Sequence, residues 1–516
     1  MTNMRSARSV MRKTMAVRSR PAAVFCVAFL LSGGSVLFAA DWPQHQRDRY
    51  RTARTTDTVP MSYRMRWMWF GDRVIRNTLS NPAWTGADCG VLPPGTTVNA
   101  VVPLPSSSGV SLAEGMQPLV VAGRLYVADM QGYAHCVDAS TGGVIWRAAN
   151  PGGCMVTGVH EGDRVVYGNI DGSVRCFGVS DGSMLWEAFT EAAITGAPVS
   201  DGTNVYVGTH EGRVYAFSLA SGARVWRSVH LGAQVAAGLA MDENSVYVCV
   251  ENMVVYALRA ADGSIRHSTK VQGQSFYRLW PVVWSSYVFV SAGAIPCLGS
   301  EYIGEVVMSS ATDVEDEQDR WLEWLRGEGS YVDQSRDWKN LTVLRRDDFT
   351  EPFQVLRPPF DGCGTPPLPP CADNEGRLLT YFKTKFPSLC VSPPFGTNYR
   401  IDISGIDPAT GRRMLIRSSQ PCMIWMWETD NCYGMSVGGN YLYLRQEGRG
   451  TQCINLKTGA YRYIQNRWGD AEDINYGGFP AVWNRTIRSG RIPPVVADGR
   501  LYIVDDFGVT AIEHHQ

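Results

Sequence analysis

Between Gln117 and Leu231 one pattern is written three times, and its period constrains the fold more than any other feature. "VAGRLYVADMQGYAHCVDASTGGVIW" is followed by "HEGDRVVYGNIDGSVRCFGVSDGSMLW" and "SDGTNVYVGTHEGRVYAFSLASGARVW". Gly132, Gly172 and Gly212 keep step at intervals of 40 residues, as do Gly142, Gly182 and Gly222, and Trp146, Trp186 and Trp226. A period of this size, filled with short alternating apolar segments and Gly or Asp turns, marks a unit that buries its faces only against copies of itself.

Each repeat resolves into four strands. In the first they are 118–122, 124–128, 133–138 and 144–147, termed a to d, and their alternation gives every strand two different faces. Four-stranded antiparallel repeats arranged radially make a β-propeller. The pattern decays along the chain. A fourth repeat ends near Lys270 with His267 at the tryptophan position, a fifth and a sixth are interrupted, and a seventh spans Cys432 to Ile464. The last, "IPPVVADGRLYIVDDFGVTAIEHH", has strands a to c and no d. A lone strand near the other end, "YRMRWMWFG" at 63–71, is the missing piece, and ring closure by it would remove the open edges. The expected architecture is all-β, an eight-bladed propeller closed by an N-terminal strand, with seven blades as the alternative.

The first 40 residues differ in kind. Six basic and no acidic residues precede an apolar run from Pro21 to Phe38 that ends in Ala39 and Ala40. This reads as a secretory signal peptide over 1–40, with 41–516 as one propeller domain; an uncleaved anchor is the alternative. Cys26 has no lipobox-like context. Of the 48 Lys and Arg, six lie in the leader, so 42 face 49 Asp and Glu, a net charge of −7 that argues against a nucleic-acid partner. Twelve of the 13 cysteines remain beyond Cys26. Cys136 and Cys176 share one repeat position and should not bridge, because equivalent side chains of adjacent sheets sit roughly 10 Å apart. Cys363 with Cys371, and Cys422 with Cys432, are near enough in sequence to be pairing candidates.

Eight repeats of forty account for roughly 320 residues, and the surplus falls in a few insertions. These are 72–116, 297–339, 383–398, 419–430 and 466–490. All join strand d to the next a, or b to c, connections that emerge on one side of an antiparallel blade, so one face should be decorated and the other short-looped. The insertions hold eight of the sixteen tryptophans. Small loop cores need aromatics, and so does a recognition surface for a polypeptide or glycan. For the latter the candidates are Trp321, Trp324, Trp338, Trp425, Trp427, Trp468 and Tyr476. "ATDVEDEQDRWLEWLRGEG" has the spacing of a short amphipathic helix, and Asp470, Glu472 and Asp473 form a compact acidic group.

The repeats "GRLYVADMQGYAHCVDASTGGVIW" and "TNVYVGTHEGRVYAFSLASGARVW" resemble the quinoprotein-type, or PQQ-like, repeat, and the ring is similar to BamB-type outer-membrane assembly propellers. "DWPQ" at 41–44 resembles the mature start of secreted PQQ-like repeat proteins. The resemblance implies that Trp146, Trp186 and Trp226 dock each blade onto its neighbour, and that the role is envelope-protein assembly. It equally brings in dehydrogenases using pyrroloquinoline quinone (PQQ) with calcium. Those typically carry an adjacent cysteine pair, which is missing here, and no calcium-ligand motif can be matched. The expectation is therefore an exported, periplasmic or extracellular, non-catalytic scaffold with a protein partner, no cofactor and no catalytic or metal residue. A PQQ dehydrogenase and a glycan binder are the alternatives. Gly434 to Gly438 matches a nucleophile-elbow pattern, but Ser436 falls in a strand with no helix after it.

Overall fold

The computed structural model describes residues 40–61, 63–72, 74–76, 109–293, 341–353, 355, 369–385, 398–407, 410–418, 422–423, 432–446, 450–463, 492–505 and 508–514. Every regular element among them is a β-strand. The strands form eight sheets, one for each blade of the ring. In blade 1 the order is Leu119–Val121, Arg124–Ala128, Tyr133–Asp138 and Val144–Ala149, each antiparallel to the next. Blades 2, 3 and 4 repeat this from Val159 to Phe189, Val199 to Arg227 and Ala240 to Lys270. Blade 5 has three described strands, and blade 6 gains a short strand, Cys422–Met423, on its third.

Closure follows the strand count read from the sequence. Strands Val495–Ala497, Arg500–Asp505 and Gly508–His514 come from the C-terminal end, and Tyr63–Trp69 pairs with the last of them as strand d. The ring therefore has eight blades, not seven. Val74–Arg76 adds a fifth strand outside Tyr63–Trp69. Strands a touch between blades 1 and 2, 2 and 3, 4 and 5, 6 and 7, 7 and 8, and 8 and 1. The core is a belt of Val, Tyr and Ala side chains between sheets: Tyr167, Tyr206, Tyr215 and Tyr247 are all essentially buried.

One contact recurs at the blade boundaries. Trp146 Nε1 donates to Val179 O at 3.0 Å, Trp186 Nε1 to Leu219 O at 2.9 Å and Trp226 Nε1 to Ala260 O at 2.8 Å, each acceptor lying in the next blade's c-to-d turn. Trp67 continues the series across the closure, donating to Ala139 O at 3.1 Å. Each indole lies on a glycine of that turn, Gly142, Gly182, Gly222 or Gly263, with φ of 72° or 73°. A β-carbon at Gly222 would stand 2.6 Å from the Trp186 ring, so both the positive φ and the packed indole require glycine.

At the boundary between blades 4 and 5 the two partners are exchanged for others. His267 stands where the tryptophan would be, and Phe349, at φ 58°, stands where the glycine would be; its N–H donates to Arg345 O as Gly263 N–H does to Arg259 O. The two rings stack with centroids 5.6 Å apart. The large ring has moved from one side of the joint to the other.

Candidate functional site

The two faces of the disc differ. Connections from a to b and from c to d are tight turns wherever they are described. The segments 77–108, 294–340, 386–397, 424–431 and 464–491, which lie outside the described residues, all depart from d-to-a or b-to-c connections and so from the same face. The candidate residues Trp321, Trp324, Trp338, Trp425, Trp427, Trp468 and Tyr476 lie in these segments, as do the acidic group at Asp470 and the helix expected near Trp321. Residues 109–116, at the end of the first insertion, pack onto blade 1: Met130 N–H donates to Ser111 O at 2.8 Å, and Val110, Leu112 and Met116 are buried.

The opposite face is closed by something the repeats gave no reason to expect. Residues 41–59 run around the axis as a strap, meeting the blades in order. In six of the eight blades one N–H of strand a, close to the a-to-b turn, donates to a strap carbonyl: Val120 to Trp42 O (3.1 Å), His160 to Pro43 O (2.8 Å), Met241 to Arg49 O (2.9 Å), Val283 to Tyr50 O (2.9 Å), Ala372 to Thr52 O (2.8 Å) and Val437 to Ala53 O (2.9 Å). In blade 3 a side chain substitutes for the backbone. Ser200 N–H donates to Gln44 Oε1 and Gln44 Nε2 donates back to Ser200 O, both at 3.2 Å. Arg54–Thr55 then pairs parallel with Val437 and Gly438, and Gly499 N–H of blade 8 donates to Asp57 Oδ2 at 3.3 Å. The "DWPQ" at its start thus supplies contacts to blades 1, 2 and 3.

Arg51 anchors the strap to blades 3 and 4. It is fully buried, and its Nε, Nη1 and Nη2 donate to Leu239 O (2.7 Å), His45 O (2.7 Å) and Pro198 O (2.6 Å). Burial pulls its pKa down to about 9, the Asp48 carboxylate opposing the shift. His45 is buried as well; burial first, and the Arg51 charge second, hold its pKa well below the ordinary value. Its Nδ1 lies 3.3 Å from Thr157 Oγ1 and its ring meets Trp280 edge-on at 4.6 Å. Gln46, Arg47, Arg51 and Ala53 have φ of 53°, 76°, 64° and 53°. Non-glycine residues in this region cost on the order of 1 kcal/mol or more each, so the strap's curvature is held by its partners. Above it, Arg278 in the loop before blade 5 pairs with Glu114 in the loop before blade 1, two loops from opposite sides of the ring.

These residues bear on quinone chemistry. A planar quinone bearing carboxylates needs free donors and an open axis. At the strap all three donor nitrogens of Arg51 are committed to backbone carbonyls, so this buried cation does not fit such a group. Among the described residues no three His, Cys, Asp or Glu side chains are grouped to hold a metal. Ser436 is buried in strand a of blade 7 and donates to Pro494 O at 2.7 Å, which accounts for its hydroxyl without a catalytic partner. Cys136 and Cys176 are separate buried thiols. Cys371 is one too, buried inside strand a of blade 6, while its pairing candidate Cys363 lies outside the described residues. The side chains of Cys422 and Cys432 lie outside the described residues.

Fold and repeat together define the class, a β-propeller protein of PQQ-like repeats. Within that class, residues 93–227 and 210–294 match the family model described as outer membrane protein assembly factor BamB. BamB from Moraxella catarrhalis is 13% identical, with 79% of this chain and 97% of that chain covered at a TM-score of 0.44. Quinohemoprotein alcohol dehydrogenase from Comamonas testosteroni is 12% identical over 92% of this chain and 80% of that one, with a TM-score of 0.55. The quinohemoprotein alcohol dehydrogenase ADHIIG from Pseudomonas putida HK5 is 11% identical over the same shares, with a TM-score of 0.50. At such identities the likeness to the two dehydrogenases speaks to the fold alone. No curated protein sequence matches the chain.

Proposed function

We propose that this protein is an exported, non-catalytic propeller scaffold that binds a protein partner of the cell envelope through its decorated face, in a role of the outer-membrane assembly kind. The observation that carries the reading is the asymmetry of the disc: long segments depart from one face, while the strap and tight turns close the other. A closed ring presents segments from several blades with little ordering cost on binding. The match of residues 93–294 to the assembly-factor family model supports the same reading, and so does the commitment of the Arg51 donors at the strap.

The test is capture of partners from the envelope fraction by the full chain, compared with Trp425→Ala/Trp427→Ala and Trp468→Ala variants and with Asp262→Asn on the closed face. The reading expects a partner lost in the first two and kept in the third. Calorimetric titration with PQQ, with and without calcium, runs beside it. Saturable, calcium-dependent binding would overturn the scaffold reading in favour of a quinoprotein dehydrogenase.

A further inference from the structure

The strap is an incomplete fit to the place it occupies. Within 41–53 lie four non-glycine residues at positive φ, at Gln46, Arg47, Arg51 and Ala53. In the same stretch three buried donors have no partner among the described residues: Trp42 Nε1, Gln46 Nε2 and Arg47 Nε. Gln46 itself is 1% exposed, so its unpaired amide is turned into the protein and not into solvent. Backbone strain and orphaned buried donors are both unfavourable, and they gather where a segment is held by its surroundings instead of by its own preference. What surrounds it is regular. The inner strands present a circle of N–H donors, and the carbonyls of Pro198 and Leu239 converge with the strap's own His45 carbonyl on one guanidinium.

We propose that the closed end of the axis is a binding site for an extended, arginine-bearing peptide, filled in this chain by its own residues 41–59 and exchangeable with a peptide of the same chemistry. The circle of strand a donors recognises the backbone of the ligand, which is indifferent to sequence. The carbonyl cradle of Pro198 and Leu239 recognises the guanidinium, whose planar fork reaches both while a third donor bonds the ligand's own backbone, a spread of directions that a compact lysine ammonium does not match. Covalent attachment of the strap gives it a high effective concentration, which keeps a free peptide out of the resting protein.

Hydrogen exchange on the full wild-type chain gives the first test. The amides of Met241, Val283, Ala372 and Val437, which donate to the strap, should exchange through a partial opening, well before the amides shared by strands b and c of the same blades. Exchange of both sets only by global unfolding would overturn the proposal. The second test uses a labelled peptide of residues 41–59 and the Arg51→Met chain, with circular dichroism to establish that the variant is folded. The peptide should bind this variant saturably, at least tenfold more tightly than it binds wild type, and a peptide carrying the same Arg51→Met change should fail to bind. Equal binding of the two peptides, or no binding to a folded variant, would overturn the cradle. Neither result depends on the decorated face, so failure here leaves the scaffold reading untouched.

Discussion

At the scale of single residues, the joint between blades is a pair of side chains that must be chosen together. Trp186→Ala should lower stability by about 3–5 kcal/mol, the usual cost of removing a large buried ring, and Gly222→Ala should cost about 1–3 kcal/mol because its methyl would strike that ring. Both are read from chemical denaturation. His267 and Phe349 allow a sharper experiment. His267→Trp should clash with the phenyl ring and Phe349→Gly should leave a void, whereas the double variant rebuilds the arrangement of blades 1 to 4. A favourable coupling of about 0.5–3 kcal/mol is expected in the double-mutant cycle, and simple additivity would show that the two positions do not form one joint. His160 carries a pH dependence. Burial lowers its pKa to about 4, with Asp41 opposing the shift, so the unfolded chain binds the extra proton between about pH 4 and 6.5. Stability from this group is present above that window and is lost as pH falls through it. The difference in stability between wild type and His160→Gln should therefore shrink from pH 7 to pH 4; an unchanged difference would contradict the buried neutral imidazole.

At the scale of elements, strands were legible because burial on both sides of a stacked sheet leaves a period of two, and turns because Asp and Gly mark them. Trp146, Trp186 and Trp226 could be seen as a series for the same reason. Trp67 belongs to that series but escaped, since its strand is severed from its blade in sequence and no repeat frames it. The strap was illegible for a deeper reason. Its hydrogen bonds go to backbone, which any sequence can satisfy, and its buried arginine is held by carbonyls that no side-chain pattern reports. Gln44 and Asp57 are exceptions, side chains standing in for backbone at blades 3 and 8. Gln44→Ala should cost about 1–3 kcal/mol, the penalty for leaving buried Ser200 N–H and C=O unpaired, and should speed exchange at the Ser200 amide more than at Met241. An equal effect at both amides would mean that the strap moves as one rigid body. The recognition residues proposed on the decorated face were legible only as composition, because insertions obey no period.

At the scale of the whole molecule, the ring has one seam, between Gly508–His514 and Tyr63–Trp69. Removing everything before Phe70 would expose the free edge of Gly508–His514 and the inner donors together. Such a chain should associate through that edge, seen as concentration-dependent growth in light scattering, whereas a monomeric, cooperatively unfolding product would show that the seam is dispensable. The strap adds a matter of timing. Residues 41–69 are synthesised before every strand they settle against, the last of which ends at His514. The segment's contacts to blades 1 to 4 can form as those blades assemble, but Thr52, Ala53, Asp57 and Tyr63–Trp69 must wait for blades 6 to 8. Closing the ring is then performed by a segment older than any of the blades it joins, and a chain cut short before His514 cannot complete it.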